Sequence, residues 1–141
     1  MDFNSIFNTF EQLDDQKIDE TNLLIDFSEH PLYWISGFNK VIANHLFFKK
    51  YTAKMFKNID PNYDLETLER AGEHLMFNKA WDYIKKFNIN NLLHVDCLKT
   101  KSDDSLLISL GMALHFFEDL EEYEKCILLK DIQDKVREFL T

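Results

Sequence analysis

Glycine and proline are scarce, at three and two in 141 residues, where average usage would give roughly ten and seven. Glycine-built phosphate loops and turn-rich β-sandwiches are therefore close to excluded. Cysteine is limited to Cys97 and Cys126, far apart and in apolar contexts. The expectation is two reduced, buried thiols. Zinc would want closely spaced ligand pairs, and the sequence has none. Positions three before the histidines are Phe27, Ile42, Ala71, Asn91 and Met112, so no Glu-x-x-His motif for a carboxylate metal bundle exists. No Gly-x-Ser-x-Gly elbow is present either. We therefore expect no catalytic residue, no metal ligand, no cofactor and no enzyme activity.

Long apolar runs are also missing. The longest are a few residues, such as Leu46-Phe47-Phe48, against the roughly 18 needed for a membrane span. Met1-Asp2-Phe3-Asn4-Ser5 carries no basic region, and no small-residue cleavage site follows, so no secretory signal is expected. Frequent Phe, Ile, Asn and Lys correspond to AT-rich codons. They point to a cytoplasmic protein of a low-GC bacterium or of a phage-infected host.

What is present is apolar and helical. Forty-five per cent of the chain is hydrophobic and 14% aromatic, with thirteen phenylalanines, which excludes an intrinsically disordered chain. Phe3, Ile6, Phe7, Phe10 and Leu13 repeat with helical spacing and predict a helix over 2–13. A second short helix would hold Leu23, Leu24 and Phe27. His30-Pro31 ends it, because the residue before proline avoids helical geometry. The next segment, 32–58, reads as one long helix or as two joined near Gly37. A helix over 62–87 opens at Pro61 or Asp64, Asn88–Asn91 is a break, and a short helix or turn covers 91–98. Ser102 is the expected N-cap of a helix over 103–118. A turn at Asp119–Glu121 then leads to a last helix over 121–140. No segment alternates with period two. The prediction is an all-α, single-domain bundle of five to seven helices ending in a helical hairpin, with subunits of about 1–60 and 61–141 as the one internal division.

Charge is unevenly spread. The chain has 16 basic and 25 acidic residues, for a net of -9. Residues 1–30 carry -7, residues 31–59 hold five lysines and no acid, and residues 102–141 carry -6. On the 32–58 helix, Lys40, Lys50, Lys54 and Lys57 fall within about 100° of one another, a candidate face for an anionic partner or a membrane surface, or else a solvated face that complements the acidic N-terminal segment. Phe38, Ile42, Leu46, Phe48, Met55 and Phe56 take the opposite, core-facing arc. His45 and Lys49 intrude on that arc, and His45 is expected to be a hydrogen-bonded core residue. Glu66, Glu69 and Glu73 form a wet face opposite Leu68 and Leu75. Helix 103–118 is apolar on nearly all sides, and its Gly111 is expected to mark a close helix crossing. The overall negative charge argues against direct nucleic-acid binding.

The most distinctive stretch is Phe117–Ile132. After an acidic turn come Glu122, Tyr123, Glu124, Lys125, Cys126, Ile127, Leu129, Lys130, Asp131 and Ile132. This pattern resembles the UVR motif, a helical hairpin at the ends of nucleotide-excision-repair subunits and in some protease adaptors. The resemblance covers about 105–140, a quarter of the chain. It departs at Ile127, where the motif has a small residue, and at Lys130, where arginine is commoner. The resemblance implies a protein–protein contact centred on Tyr123, with nothing catalytic. The candidate partner-binding residues are Glu118, Asp119, Glu121, Glu122, Tyr123 and Lys130.

The alternative for this hairpin is internal: Tyr123, Cys126, Leu129, Val136 and Leu140 can pack on helix 103–118, with Glu121–Lys125 and Asp131–Lys135 as i,i+4 ion pairs. The leading functional expectation is a non-catalytic regulatory protein that binds another protein, one with a basic surface. An acidic inhibitor is the second reading. It would mimic nucleic acid in a host enzyme's channel, with Glu118, Asp119, Glu121, Glu122 and Asp131 ordered along one surface. A structural component of a virion-like assembly is the third, since thirteen phenylalanines can exceed what one small core hides. A homo-oligomer is compatible with all three.

Overall fold

The computed structural model describes residues 28–59 and 65–141, the side chains of 56–59 and 65 excepted. The helices expected over 2–13 and around Leu23–Phe27, the start at Pro61 or Asp64, and the side chains of Phe56 and Lys57 lie outside the described residues. The chain divides into two compact units, Met1–His30 and Pro31–Thr141. The second unit holds five helices: α1 (Pro31–Ile59), α2 (Leu65–Ile84), α3 (Leu92–Lys101), α4 (Asp104–Asp119) and α5 (Tyr123–Leu140). Among the described residues there is no strand, and no helix is long and apolar enough to cross a membrane.

Proline sets the first boundary. Pro31 occupies the first helical position, where its missing N–H costs nothing. From there α1 runs unbroken through Gly37. The glycine is there for a different reason: a Cβ at this position would meet Cδ1 and Cε1 of Tyr83 at 2.5 Å. Tyr83 lies across the helix backbone and meets Tyr33 edge-on at 5.7 Å.

α1 is the organising element, packing on α2, α3 and α4, while α4 and α5 form the closing hairpin. Ile35, Phe38 and Ile42 of α1 are fully buried. They meet Met76, Phe77, Ala80 and Ile84 of α2, Cys97 and Leu98 of α3, and Leu106, Leu110, Ala113 and Phe117 of α4. Cys126, Leu129, Ile132 and Val136 of α5 complete this core. Each fully buried Leu, Ile or Phe contributes about 1.5–3 kcal/mol relative to exposure. The core also holds Ser109, whose hydroxyl donates to Asn39 Oδ1 at 2.6 Å, fixing α4 against α1.

Local chemistry sets the remaining ends. Asn91 caps α3, its Oδ1 accepting from the Leu93 and His94 amides. His94 Nδ1 accepts from the Asn88 amide at 2.9 Å, and its ring meets Trp34 edge-on at 5.2 Å. That pins the 85–91 connection beneath the start of α1. The cap of α4 is Asp103, whose Oδ1 accepts from the Leu106 amide at 2.7 Å. Ser102, the expected cap, instead closes α3: its hydroxyl donates to Leu98 O at 2.7 Å. Gly111 faces α5, where a Cβ would sit 3.4 Å from Gln133 Nε2, a close crossing that a methyl would still fit.

Candidate functional site

Two exposed regions stand out, the α4–α5 turn and the outer arm of α1 and α2. The turn is built by backbone hydrogen bonds. The Glu121 amide donates to Glu118 O and the Glu122 amide to Phe117 O, both at 3.0 Å. This is a Schellman closure, which normally has glycine in the left-handed position. Here Glu121 occupies it, with φ 59°. An L-residue in this region carries strain of about 1–2 kcal/mol.

The turn presents the predicted residues as follows. Glu118, Asp119, Glu121 and Glu124 are exposed, and Glu122 is half-buried. Tyr123 is 62% exposed and Ile127 65%. Tyr123, Ile127 and Lys130 follow one another along a single stripe of α5, at i, i+4 and i+7. Lys130 is exposed on that stripe. An open depression of ≈ 410 Å³ is lined by Glu121, Glu122, Tyr123, Glu124 and Lys125.

Lys125 is anchored differently from expectation. Its Nζ lies 3.1 Å from Glu122 Oε2, 4.8 Å from the Phe117 ring centroid and 5.6 Å from that of Trp81. The carboxylate oxygen makes no aligned hydrogen bond, so the contact is electrostatic. Attraction to the ring faces draws the ammonium back over the core, in place of the anticipated Glu121–Lys125 pair. Lys135 likewise pairs with Glu138 at 3.3 Å rather than with Asp131. Cys126, Leu129 and Val136 are buried on α4 as the internal alternative requires, but Tyr123 and Leu140 are not.

On the arm, the anticipated apolar arc of α1 divides. Phe38 and Ile42 are buried, whereas Leu46, Phe48 and Met55 are 40, 65 and 50% exposed. Leu68 and Leu75 of α2, expected to face inward, are 41 and 76% exposed. Between the helices lies an apolar groove of ≈ 400 Å³. Lys49, one of its lining residues, pairs through Nζ with Glu73 Oε1 at 2.9 Å, so Glu73 is turned toward α1 rather than into a wet face. The bond to Glu73 holds the Lys49 ammonium above its ordinary range.

His45 Nε2 is buried there with no hydrogen-bond partner, which corrects the expectation of a hydrogen-bonded histidine. Burial lowers its pKa from 6.5, although Glu73 pulls it upward. Lys40, Lys50 and Lys54 are exposed. Lys40 borders a polar cleft with Lys101 and Asp103, about 15 Å along the helix from Lys50. Lys40 is therefore set apart from Lys50 and Lys54.

Both thiols are buried and unpaired. Desolvation raises each pKa, helped by Asp96 at Cys97 and by Glu118 and Glu122 at Cys126. Among the described residues no cluster of His, Cys, Asp and Glu could hold a metal ion. Two features were missed in the sequence, the exposure of Ile127 beside Tyr123 and the exposed arm. The first had a signal: Ile127 is where the chain departs from the UVR pattern. Compared with protein-family models, with curated proteins and with solved structures, the chain has no match.

Proposed function

We propose that this is a non-catalytic, protein-binding regulatory protein that grips its partner through the tip of the α4–α5 hairpin. The observation that carries the reading is the exposure of Tyr123. A tyrosine at the first position of α5 could have turned onto α4; it stands 62% exposed instead, with Ile127 one turn along. Large aromatic side chains ringed by polar groups are the usual anchors of protein interfaces. The surrounding acids favour a partner with a basic surface, since charge complementarity speeds encounter and selects partners. The resemblance of 105–140 to the UVR hairpin supports the same use of this element.

The test is affinity capture from the cell that makes the protein, with mass spectrometry, comparing the wild type with Tyr123→Ala. The variant should keep its helicity, because it removes an exposed side chain. It should bind the captured partner about tenfold more weakly, equivalent to about 1.4 kcal/mol. Unchanged affinity would remove the hairpin tip as the contact.

A further inference from the structure

The arm formed by the second half of α1 and the first half of α2 exposes a continuous apolar surface. Phe47, Phe48, Tyr51 and Met55 are 75, 65, 66 and 50% exposed, and they fall within about 100° of one another on the helix. Phe48 also lines the groove, whose opposite wall is Leu68 and Leu75. The four stripe side chains leave about 500 Å² of apolar area in water, and the groove wall of Leu68 and Leu75 brings the patch to about 750 Å², taking roughly 200 Å² for a large side chain. The largest patch on a typical monomer is about 300–600 Å², whereas each side of a standard interface buries about 800 Å².

Charge identifies the occupant. Lys50 and Lys54 run along the free edge of the stripe and are exposed. Neither has an ion-pair partner among the described residues. Phe116, near the end of α4, packs on His74 at 5.1 Å and stacks on Phe77 at 4.5 Å. The α4 terminus, with exposed Glu118 and Asp119, therefore sits at the base of the arm. One end of the five-helix unit thus offers an apolar stripe, a basic edge and an acidic corner. A surface holding both a charge and its complement suits a two-fold interface, in which each pairing occurs twice.

We propose that the Phe47–Phe48–Tyr51–Met55 stripe binds the same stripe of a second copy of this chain, forming a two-fold dimer. The lysine edge of each copy lies beside the acidic corner of the other. The dimer draws on Glu118 and Asp119, which also border the partner contact proposed above, but it uses neither Tyr123 nor Ile127 and does not depend on that contact.

The experiment is sedimentation equilibrium on the full chain, loaded up to about 100 µM, since interfaces of this size bind at about micromolar or tighter. The wild type should give twice the 16.9 kDa chain mass. Phe47→Glu combined with Tyr51→Glu should give the monomer mass with unchanged circular dichroism, because both side chains are exposed. Tyr51→Ala alone should weaken the dimer at least tenfold. Ile108→Glu, at an exposed apolar position on α4, and Tyr123→Ala should both leave the mass doubled.

A monomeric wild type would overturn the proposal, including one whose stripe proved to bind a different protein. So would a Phe47/Tyr51 variant that stays dimeric, or a Tyr123→Ala variant that becomes monomeric, which would move the interface to the turn.

Discussion

Replacing Gly37 by alanine pits two calculable effects against each other. Glycine inside a helix is about 1 kcal/mol worse than alanine, so in open space the change would stabilise α1 by that amount. Gly37 is not in open space. The new methyl would lie 2.5 Å from Cδ1 and Cε1 of Tyr83 and 2.9 Å from Cγ, where carbon atoms prefer about 3.5–4.0 Å. The clash is with the body of the ring, so a small rotation of a flexible tip cannot relieve it. The ring would have to retreat by about 1 Å, and overpacking of this kind typically costs about 1–3 kcal/mol. Retreat would also disturb the Tyr33–Tyr83 edge contact and the hydrogen bond between these side chains, which raises the Tyr33 pKa.

The expected net effect is a loss of about 1 kcal/mol. Gly111→Ala is the internal control. Its methyl meets only Gln133 Nε2, at 3.4 Å, so the helix-propensity gain of about 0.5–1 kcal/mol should survive. Urea unfolding followed by far-UV circular dichroism measures both. The midpoints should move in opposite directions with the slope unchanged. A second-site change of Tyr83 to alanine should abolish the penalty of Gly37→Ala, as expected for directly coupled residues. Equal shifts for the two glycine variants, or a Gly37→Ala protein as stable as wild type, would refute the packing of Tyr83 on this backbone.

Glu121→Gly should relieve the left-handed strain at φ 59° and raise stability by about 0.5–1 kcal/mol in the same urea assay; a destabilised variant would mean the turn is held in another way. His45 should make the protein acid-sensitive. Its folded-state pKa lies below 6.5 because burial disfavours the imidazolium. As the pH falls below 6.5, the unfolded chain gains a proton before the folded one does, and stability is lost until the folded-state pKa is passed. His45→Leu should shrink the stability difference between neutral and mildly acidic pH. By removing a buried, unpaired Nε2, it should also add about 1 kcal/mol at neutral pH. An unchanged acid response would show that His45 is protonated as readily folded as unfolded.

Features written in local chemistry were legible in the sequence. The proline at the start of α1, the Asn88–Asn91 break and the approximate limits of α4 and α5 follow from side chains acting on their own backbone. The errors arose where two local signals compete or a distant group intervenes. Ser102 and Asp103 both suit an N-cap, and the charged Asp103 took it while the serine closed α3. Lys125 had Glu121 within reach along the helix, but Trp81 and Phe117 beneath it settled its position. The α4–α5 turn was placed within a residue or two. Its form was hidden because the glycine that marks such a closure is absent.

The larger misreading concerns which phenylalanines are inside, and helix length explains it. Periodicity shows which residues share a face of α1, but not how far along that face there is something to pack against. α1 has 29 residues, a rod of about 44 Å. α4 has 16, about 24 Å on the same rise. Ser109 bonds to Asn39, and Phe116 lies over His74 and Phe77. α4 is therefore spent by the level where Gly72 meets His45. Beyond that level α1 is left with α2 as its neighbour within the five-helix unit. Phe38 and Phe77 fall within the reach of α4 and are buried; Phe48, on the same broad arc of α1 as Phe38, falls beyond it and is 65% exposed. The same residue type thus has two fates, decided by the end of a shorter helix. The arc that continues past that end, through Leu46, Phe48 and Met55, has lost its partner within this unit, which is why the arm is where an intermolecular contact belongs.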